Sequence, residues 1–434
     1  MKTSKFSVVV IGGGPAGLSA AVAASADGAS VLLVERDIRL GGILKQCIHD
    51  GFGVHRFNEN LTGPEYAYKD IKQIEQTNAF VLLQTTVTRV IKVDNSFYMT
   101  LCNRHGLMQI EAKSIVIATG CRERTAKFSA IHGSRPTGVL TAGSAQYFIN
   151  VLGQLPAKRA VFFGSGNVGM IMARRLTLEG AAVLGVYEPS QTPQGSLSNV
   201  MYCLNDFSIP LHTGHTVTRV SGSSRLKSAE VYRVDKNENL IRGTENRIPC
   251  DSLIISAGLI PDNELAGSLN VPVSEDTGGP LCDHTYMTMV DGVFCCGNSV
   301  HINSLVDYIS ESGEKAGISA ARYMAGDRRL VDIRTTRDFQ YVVPKYLDID
   351  KLHGVVYLNF RPAAIAENMV VKVYIDNQEV SSQEYETLRP PETERIPIDL
   401  NSGISASVTT ESRIELRMEK GTAPAKEKNE GDVQ

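Results

Sequence analysis

Two glycine-rich turns stand out as places where this chain could hold a phosphate. The first, Gly12-Gly13-Gly14-Pro15-Ala16-Gly17, follows the apolar run Val8 to Ile11, and the second, Gly164-Ser165-Gly166-Asn167-Val168-Gly169, follows Ala160 to Phe163. In such a turn the leading glycine permits a tight bend, the middle one lets backbone approach a pyrophosphate, and the last lets the next helix pack closely on the sheet. The helix N-terminus then offers unpaired N–H groups and partial positive charge. Each unit ends in an acid, Glu35 and Glu188, about twenty residues past its turn, where a carboxylate accepts hydrogen bonds from an adenosine ribose. Strand, turn, helix, strand and acid occur in the same order twice, so both units read as dinucleotide sites. An acid at Glu188 repels a 2′-phosphate, and Lys and Arg are absent from Glu188 to Tyr202, so the second site favours NAD(H) over NADP(H).

Other polar groups gather around these turns. Arg36 adjoins the first acid, and Gly41-Gly42-Ile43 suits a loop crossing back over the bound cofactor. Cys47, His49, Asp50 and His55 follow in that loop. The buried run Ser114 to Ile117 ends in the small-residue turn Ala118-Thr119-Gly120, after which Arg122 and Arg124 lie close to the expected cofactor. Asp251 to Gly258 closes on a similar turn, and Asp291 to Asn298 delivers Gly297 and Asn298 at the end of a buried strand.

The spacing predicts the elements that place these groups. Thr62, with Pro64 and Glu65 behind it, has the form of a capping box opening a helix to about Asn78. Alternation between Phe80 and Ala112 predicts short antiparallel strands. Helices are expected over Gly143 to Val151, Met170 to Glu179, Gly195 to Phe207 and Ser304 to Met324, with a hairpin at Thr216 to Val220 and Ala229 to Val234. Beyond Gly326, β-type segments such as Gln340 to Val343, Val355 to Phe360, Val370 to Ile375 and Ile414 to Met418, interrupted by Pro390-Pro391, predict a small all-β domain. The fold class is therefore α/β, two Rossmann-like dinucleotide-binding domains with the second inserted in the first, plus that β domain. The expected boundaries are 1–138 with 272–328, then 139–271, then 329–420, and a polar, disordered tail over 421–434.

At 434 residues the chain has length for two or three domains, and 42% apolar with 21% charged residues is ordinary for globular chains. A net charge of −3 gives no reason to expect nucleic acid or anionic membrane. No apolar run reaches membrane-spanning length, and MKTSKF leads straight into the first strand, which leaves no room for a signal peptide. The eight cysteines lack CxxC spacing, and Cys295 and Cys296 are adjacent in an apolar run, so neither a metal site nor a secreted disulfide framework is expected. The compartment reads as the reducing cytoplasm.

GGGPAG with Glu35, GSGNVG with Glu188, and DGVFCCGN together resemble the pyridine nucleotide–disulfide oxidoreductase superfamily of flavoproteins, over about Phe6 to Met324. The resemblance implies FAD in the first fold, with Gly297 and Asn298 at the flavin phosphate and ribityl chain, and a nicotinamide cofactor in the second. Asn298 replaces the family's usual Asp and can still donate and accept hydrogen bonds. LGGILKQCIHDGFGVHRF, LTGPEYA, ATGCRERT, ARRLTLEGA and the β domain look similar to a narrower bacterial group. These resemble the NAD-linked subunit that accompanies a glycerol-3-phosphate-dehydrogenase-type flavoprotein and a small cysteine-rich redox protein, so an oligomer or complex is implied.

The implied chemistry is hydride transfer between nicotinamide and flavin, with the helix from about Ser304 aiming its N-terminus at the flavin. The CxxxxC pair of the disulfide reductases is missing, since Cys47 stands alone after Glu35. Cys47 could cycle by itself, its pKa lowered by His49 and His55, or could be a small residue packed against the flavin. His49 is the candidate acid–base group of that loop, against a structural or substrate-edge role for it, Asp50 and His55. Two further readings stay open: a stand-alone NADH-dependent reductase acting through Cys47 on a peroxide or small disulfide, and a non-catalytic flavin-bound subunit.

Overall fold

A computed structural model describes residues 3–401 and 408–421. The tail expected from 421 falls outside the described residues from 422 onward. The first sheet places the strands Phe80–Leu82, Val31–Val34, Ser4–Ile11, Gly106–Ile117 and Val293–Cys295 side by side and parallel. Val8, Val9, Val10, Ile115, Val116 and Ile117 are fully buried between helices on both faces, which is why these strands read as unbroken apolar runs.

Gly106–Ile117 corrects the sequence expectation of separate strands. Its first half pairs antiparallel with Ser96–Asn103, and its last residues pair parallel with Val293–Cys295, so one strand carries two textures. The helix Gly63–Glu75 has the expected capping box at Thr62 and Glu65, and it ends at the Gln76 cap, short of Asn78.

The second sheet runs Leu211–Thr213, Ala182–Glu188, Arg159–Phe163, Ser252–Ile255, Val139–Thr141, all parallel. The two chain crossings between the sheets pair with each other, Cys121–Glu123 against Leu259–Pro261. The expected helix from Gly195 is three short pieces, with a wide π turn over Val200–Leu204.

Two helices bind the first domain together. Pro15–Ala26 and Val306–Ala321 approach so closely that a side chain on Gly313 would stand 2.1 Å from the Ala16 carbonyl oxygen, and one on Gly317 2.2 Å from that of Ala20. The β domain forms a five-stranded and a three-stranded sheet around a core that includes Ile333, Val373, Leu416, Leu358, Phe360 and Ile396. Three of its strands were not expected: Leu330–Thr335, Gln378–Leu388 and Glu394–Asp399. Among the described residues no helix is long and apolar enough to cross a membrane.

Candidate functional site

The first turn is a cradle that only glycine can form. Gly12 has φ +109°, and a side chain there would stand 2.4 Å from the Ala118 carbonyl oxygen. On Gly17 it would meet the Gly12 carbonyl oxygen at 1.8 Å, whereas on Gly14 it would meet only the Gly42 Cα, at 3.8 Å. Gly14 therefore faces open space. The helix Pro15–Ala26 starts beside it with no side-chain cap, which leaves first-turn N–H groups for an anion. Glu35 is buried, and its carboxylate accepts the N–H of Gly13 at 2.6 Å and of Asp37 at 2.7 Å. The Gly41 N–H donates to the Gly13 carbonyl at 2.8 Å, so the glycine pair does cross back over the turn. A cradle that a Cβ would fill, with a fixed acid behind it, fits the pyrophosphate and ribose of FAD.

The second turn repeats this construction. Gly164 has φ +87°, and a side chain would lie 2.3 Å from the Ser256 carbonyl oxygen, as Gly12 does with Ala118. Side chains on Gly166 and Gly169 would meet Ser256 at 2.9 and 2.5 Å. Glu188 is buried and accepts the Ser165 N–H at 2.8 Å, the Ser165 hydroxyl at 2.7 Å and the Ser190 N–H at 2.9 Å. Burial pushes its pKa up, while the bonds from Ser165 and Ser190 oppose that shift. Asn167 accepts from the Ser196 N–H at 2.8 Å and the Asn199 amide at 2.9 Å, which ties the loop after Glu188 across the turn. Val168 stands exposed on the first helical turn, and Gly258 has φ +96°.

Sequence reasoning missed Ser165, Ser190 and Ser256 as parts of this site. Ser256 was findable, since it ends its strand in SAG where Ala118 begins the ATG of the first domain.

Other expected residues divide. The Thr119 hydroxyl donates to the Asp262 carbonyl at 2.7 Å, and Gly120 has φ +74°. Gly297 packs on Ala16, where a side chain would come within 2.8 Å of the Ala16 Cβ. Asn298 accepts the Asn303 N–H at 3.0 Å and aims its own amide at the Cys121 sulfur, 3.7 Å away. Arg36 and Ile43 are exposed. Arg122 also turns outward and sits 3.7 Å from Glu264, and Arg124 stacks on Phe128.

Cys47 differs from its expected chemistry. Its sulfur points to the Ile43 carbonyl at 3.4 Å and the Gln146 amide oxygen at 3.9 Å, and burial pushes its pKa up to about 11. The imidazoles expected to lower it hold the loop instead. His49 packs on Phe52, and burial lowers its pKa. The exposed His55 stacks on Tyr308, and its backbone N–H donates to Asp307 at 3.0 Å. Asp50 accepts from the Asn60 amide at 3.2 Å.

The flavin-facing helix starts at Val306 rather than Ser304, and Leu305 gives it no side-chain cap. All eight cysteines are free, and among the described residues no cluster could hold a metal ion.

Two such cradles on one chain define a two-nucleotide redox protein. The chain belongs to the pyridine nucleotide-disulphide oxidoreductase family, whose model matches residues 6–327. Members bind FAD and NAD(P)H, and the chain is an FAD-dependent NAD(P)H oxidoreductase. It is 25% identical to the larger-numbered span of an opine oxidase component from Agrobacterium tumefaciens, over 76% of this chain and 67% of that relative. It is also 28% identical to the alpha component of sarcosine oxidase from a Corynebacterium, over 58% of this chain and 26% of that relative. The chain thus spans about two thirds of the first relative's length and about a quarter of the second's. Among solved structures, thioredoxin reductase of T. acidophilum shares the fold, with a TM-score of 0.61 at 22% identity, covering 73% of this chain and 98% of that one.

Proposed function

We propose that the chain moves a hydride between NAD(H) and FAD as the NAD-linked subunit of a multi-subunit dehydrogenase of the glycerol-3-phosphate type. The observation that carries this reading is the duplicated cradle, complete at both turns down to the buried acid. Bound FAD would accept or donate the hydride, and the protein's part is to hold both dinucleotides, exclude water and offer helix N–H groups to developing negative charge. Glu188 and the absence of Lys and Arg through Tyr202 select NAD(H).

The electron partners are another flavoprotein dehydrogenase and a small cysteine-rich redox protein, with the β domain as the docking surface. The relatives from opine oxidase, sarcosine oxidase and the hydrogen cyanide synthase of Pseudomonas aeruginosa are each subunits by name, which supports membership of a complex. Eight unpaired cysteines suit a cytoplasmic setting. Turnover through Cys47 alone is disfavoured by its raised pKa, and a non-catalytic role by the complete second cradle.

The test is to isolate the tagged chain from its native cell and titrate what copurifies. A flavoprotein dehydrogenase whose substrate bleaches the chain's flavin supports the reading. A lone, fully active homo-oligomer contradicts the subunit role.

A further inference from the structure

The loop from Asn298 to Leu305 joins the end of the last flavin-domain strand to the helix Val306–Ala321. It has little regular structure and is held from within by Asn298, which accepts the backbone and side-chain N–H groups of Asn303 at 3.0 and 3.2 Å. From outside it is held by one residue of the β domain. The Thr393 N–H donates to the Ser304 hydroxyl oxygen at 2.9 Å, and that hydroxyl donates to the Thr393 carbonyl at 3.1 Å. The Thr393 hydroxyl donates to the Ile302 carbonyl at 3.1 Å.

That hydroxyl is fully committed. It has one proton and two lone pairs, and the proton goes to Ile302. Arg361, 3.2 Å away, can only donate, so the Tyr341 hydroxyl at 3.0 Å must donate as well. Thr393 is buried, so losing its hydroxyl leaves three groups without partners in a place water does not reach. Two residues on, Arg395 grips the helix itself. It pairs with Glu311 at 2.7 Å, with its guanidinium 3.7 Å from the Tyr308 ring centre and 4.1 Å from that of Tyr357.

We propose that Thr393 is a positioning residue of the flavin site, through which the β domain fixes the loop before the flavin-facing helix and so places that helix's N-terminus. The proposal rests on the reading of the first cradle as the FAD site. A displaced helix N-terminus stabilises the reduced, more negative flavin less than the oxidised one, so the midpoint potential falls. Ser304 belongs to the same device from the flavin-domain side.

The experiment compares full-length wild type, Thr393→Val, Thr393→Ser and Ser304→Ala, each loaded with FAD. The readouts are midpoint potential by dye equilibration, the flavin visible spectrum and thermal unfolding. Thr393→Val is expected to bind reduced FAD about tenfold less well relative to oxidised FAD, which lowers the two-electron potential by about 30 mV. Thr393→Ser is expected to restore it, and Ser304→Ala to shift it the same way if Thr393→Val does not fold. Wild type that binds FAD, with Thr393→Val or Ser304→Ala at an unchanged potential and spectrum, overturns the proposal alone. A wild-type chain that binds no FAD overturns the flavin-site reading and the proposal with it.

Discussion

Gly313→Ala tests whether the closeness of two helices shapes the first cradle. The added methyl would stand 2.1 Å from the Ala16 carbonyl oxygen, where ordinary contact begins at 3.4 Å, so the helices must part by about 1.3 Å there. Alanine brings about 1 kcal/mol of helix propensity over glycine. Overpacking costs typically about 1–3 kcal/mol, so the two nearly balance in overall stability or leave a modest loss. The cradle has no such compensation. Ala16 lies in the turn two residues after Gly14, and moving it carries the pyrophosphate N–H groups away from their ligand. A loss of about 1.4–3 kcal/mol of charge-assisted hydrogen bonding is a tenfold to hundredfold rise in the FAD dissociation constant. Gly317→Ala acts at the same interface and will not add fully to it. Gly267→Ala is the control, since a side chain there meets nothing within 4 Å, and it should leave FAD affinity unchanged. Titrating apo-protein with FAD by flavin fluorescence reads the result. A Gly313→Ala chain that binds FAD as tightly as wild type refutes the reasoning.

Glu188→Gln keeps an acceptor for the Ser165 and Ser190 N–H groups but removes the charge. It should weaken NADH binding by roughly tenfold and narrow the preference over NADPH, as measured by titration with each nucleotide; an unchanged ratio would remove Glu188 from specificity. For Cys47 the folded pKa is raised to about 11 from 9.0, so the thiol stays protonated through neutral pH and forms thiolate only as pH nears that value. Its alkylation should be slow at neutral pH and speed up as pH rises toward the folded pKa, read by mass mapping. Flavin reduction by NADH should survive Cys47→Ser, and loss of reduction would restore the cysteine to the mechanism.

Both cradles were legible because their constraints are local. A glycine beside a carbonyl at 2.4 Å or 2.3 Å leaves its mark within six residues of sequence, and the acid follows at a fixed interval. The Thr62 and Glu65 capping box was legible for the same reason. Gly106–Ile117 was not, because its exposed half alternates and its buried half is continuously apolar. Gln378–Leu388 is an edge strand with little buried surface, so its polar sequence carries no period. Arg122 follows a strand end that does face the first domain, yet its long side chain is free to turn to Glu264. Cys47 and its neighbouring imidazoles looked like an activated thiol by spacing, but spacing says nothing of burial. Thr393 and Ser304 meet across 89 residues, and such a pairing leaves no trace in either segment.

The central claim is direct hydride transfer between the two cradles. Anaerobic single-turnover mixing of the FAD-loaded chain with NADH tests it, with NADH deuterated at C4 run in parallel. The account predicts bleaching of the flavin within seconds, slowed by deuterium, and much weaker bleaching with NADPH. A flavin that stays oxidised while NADH is bound would contradict it.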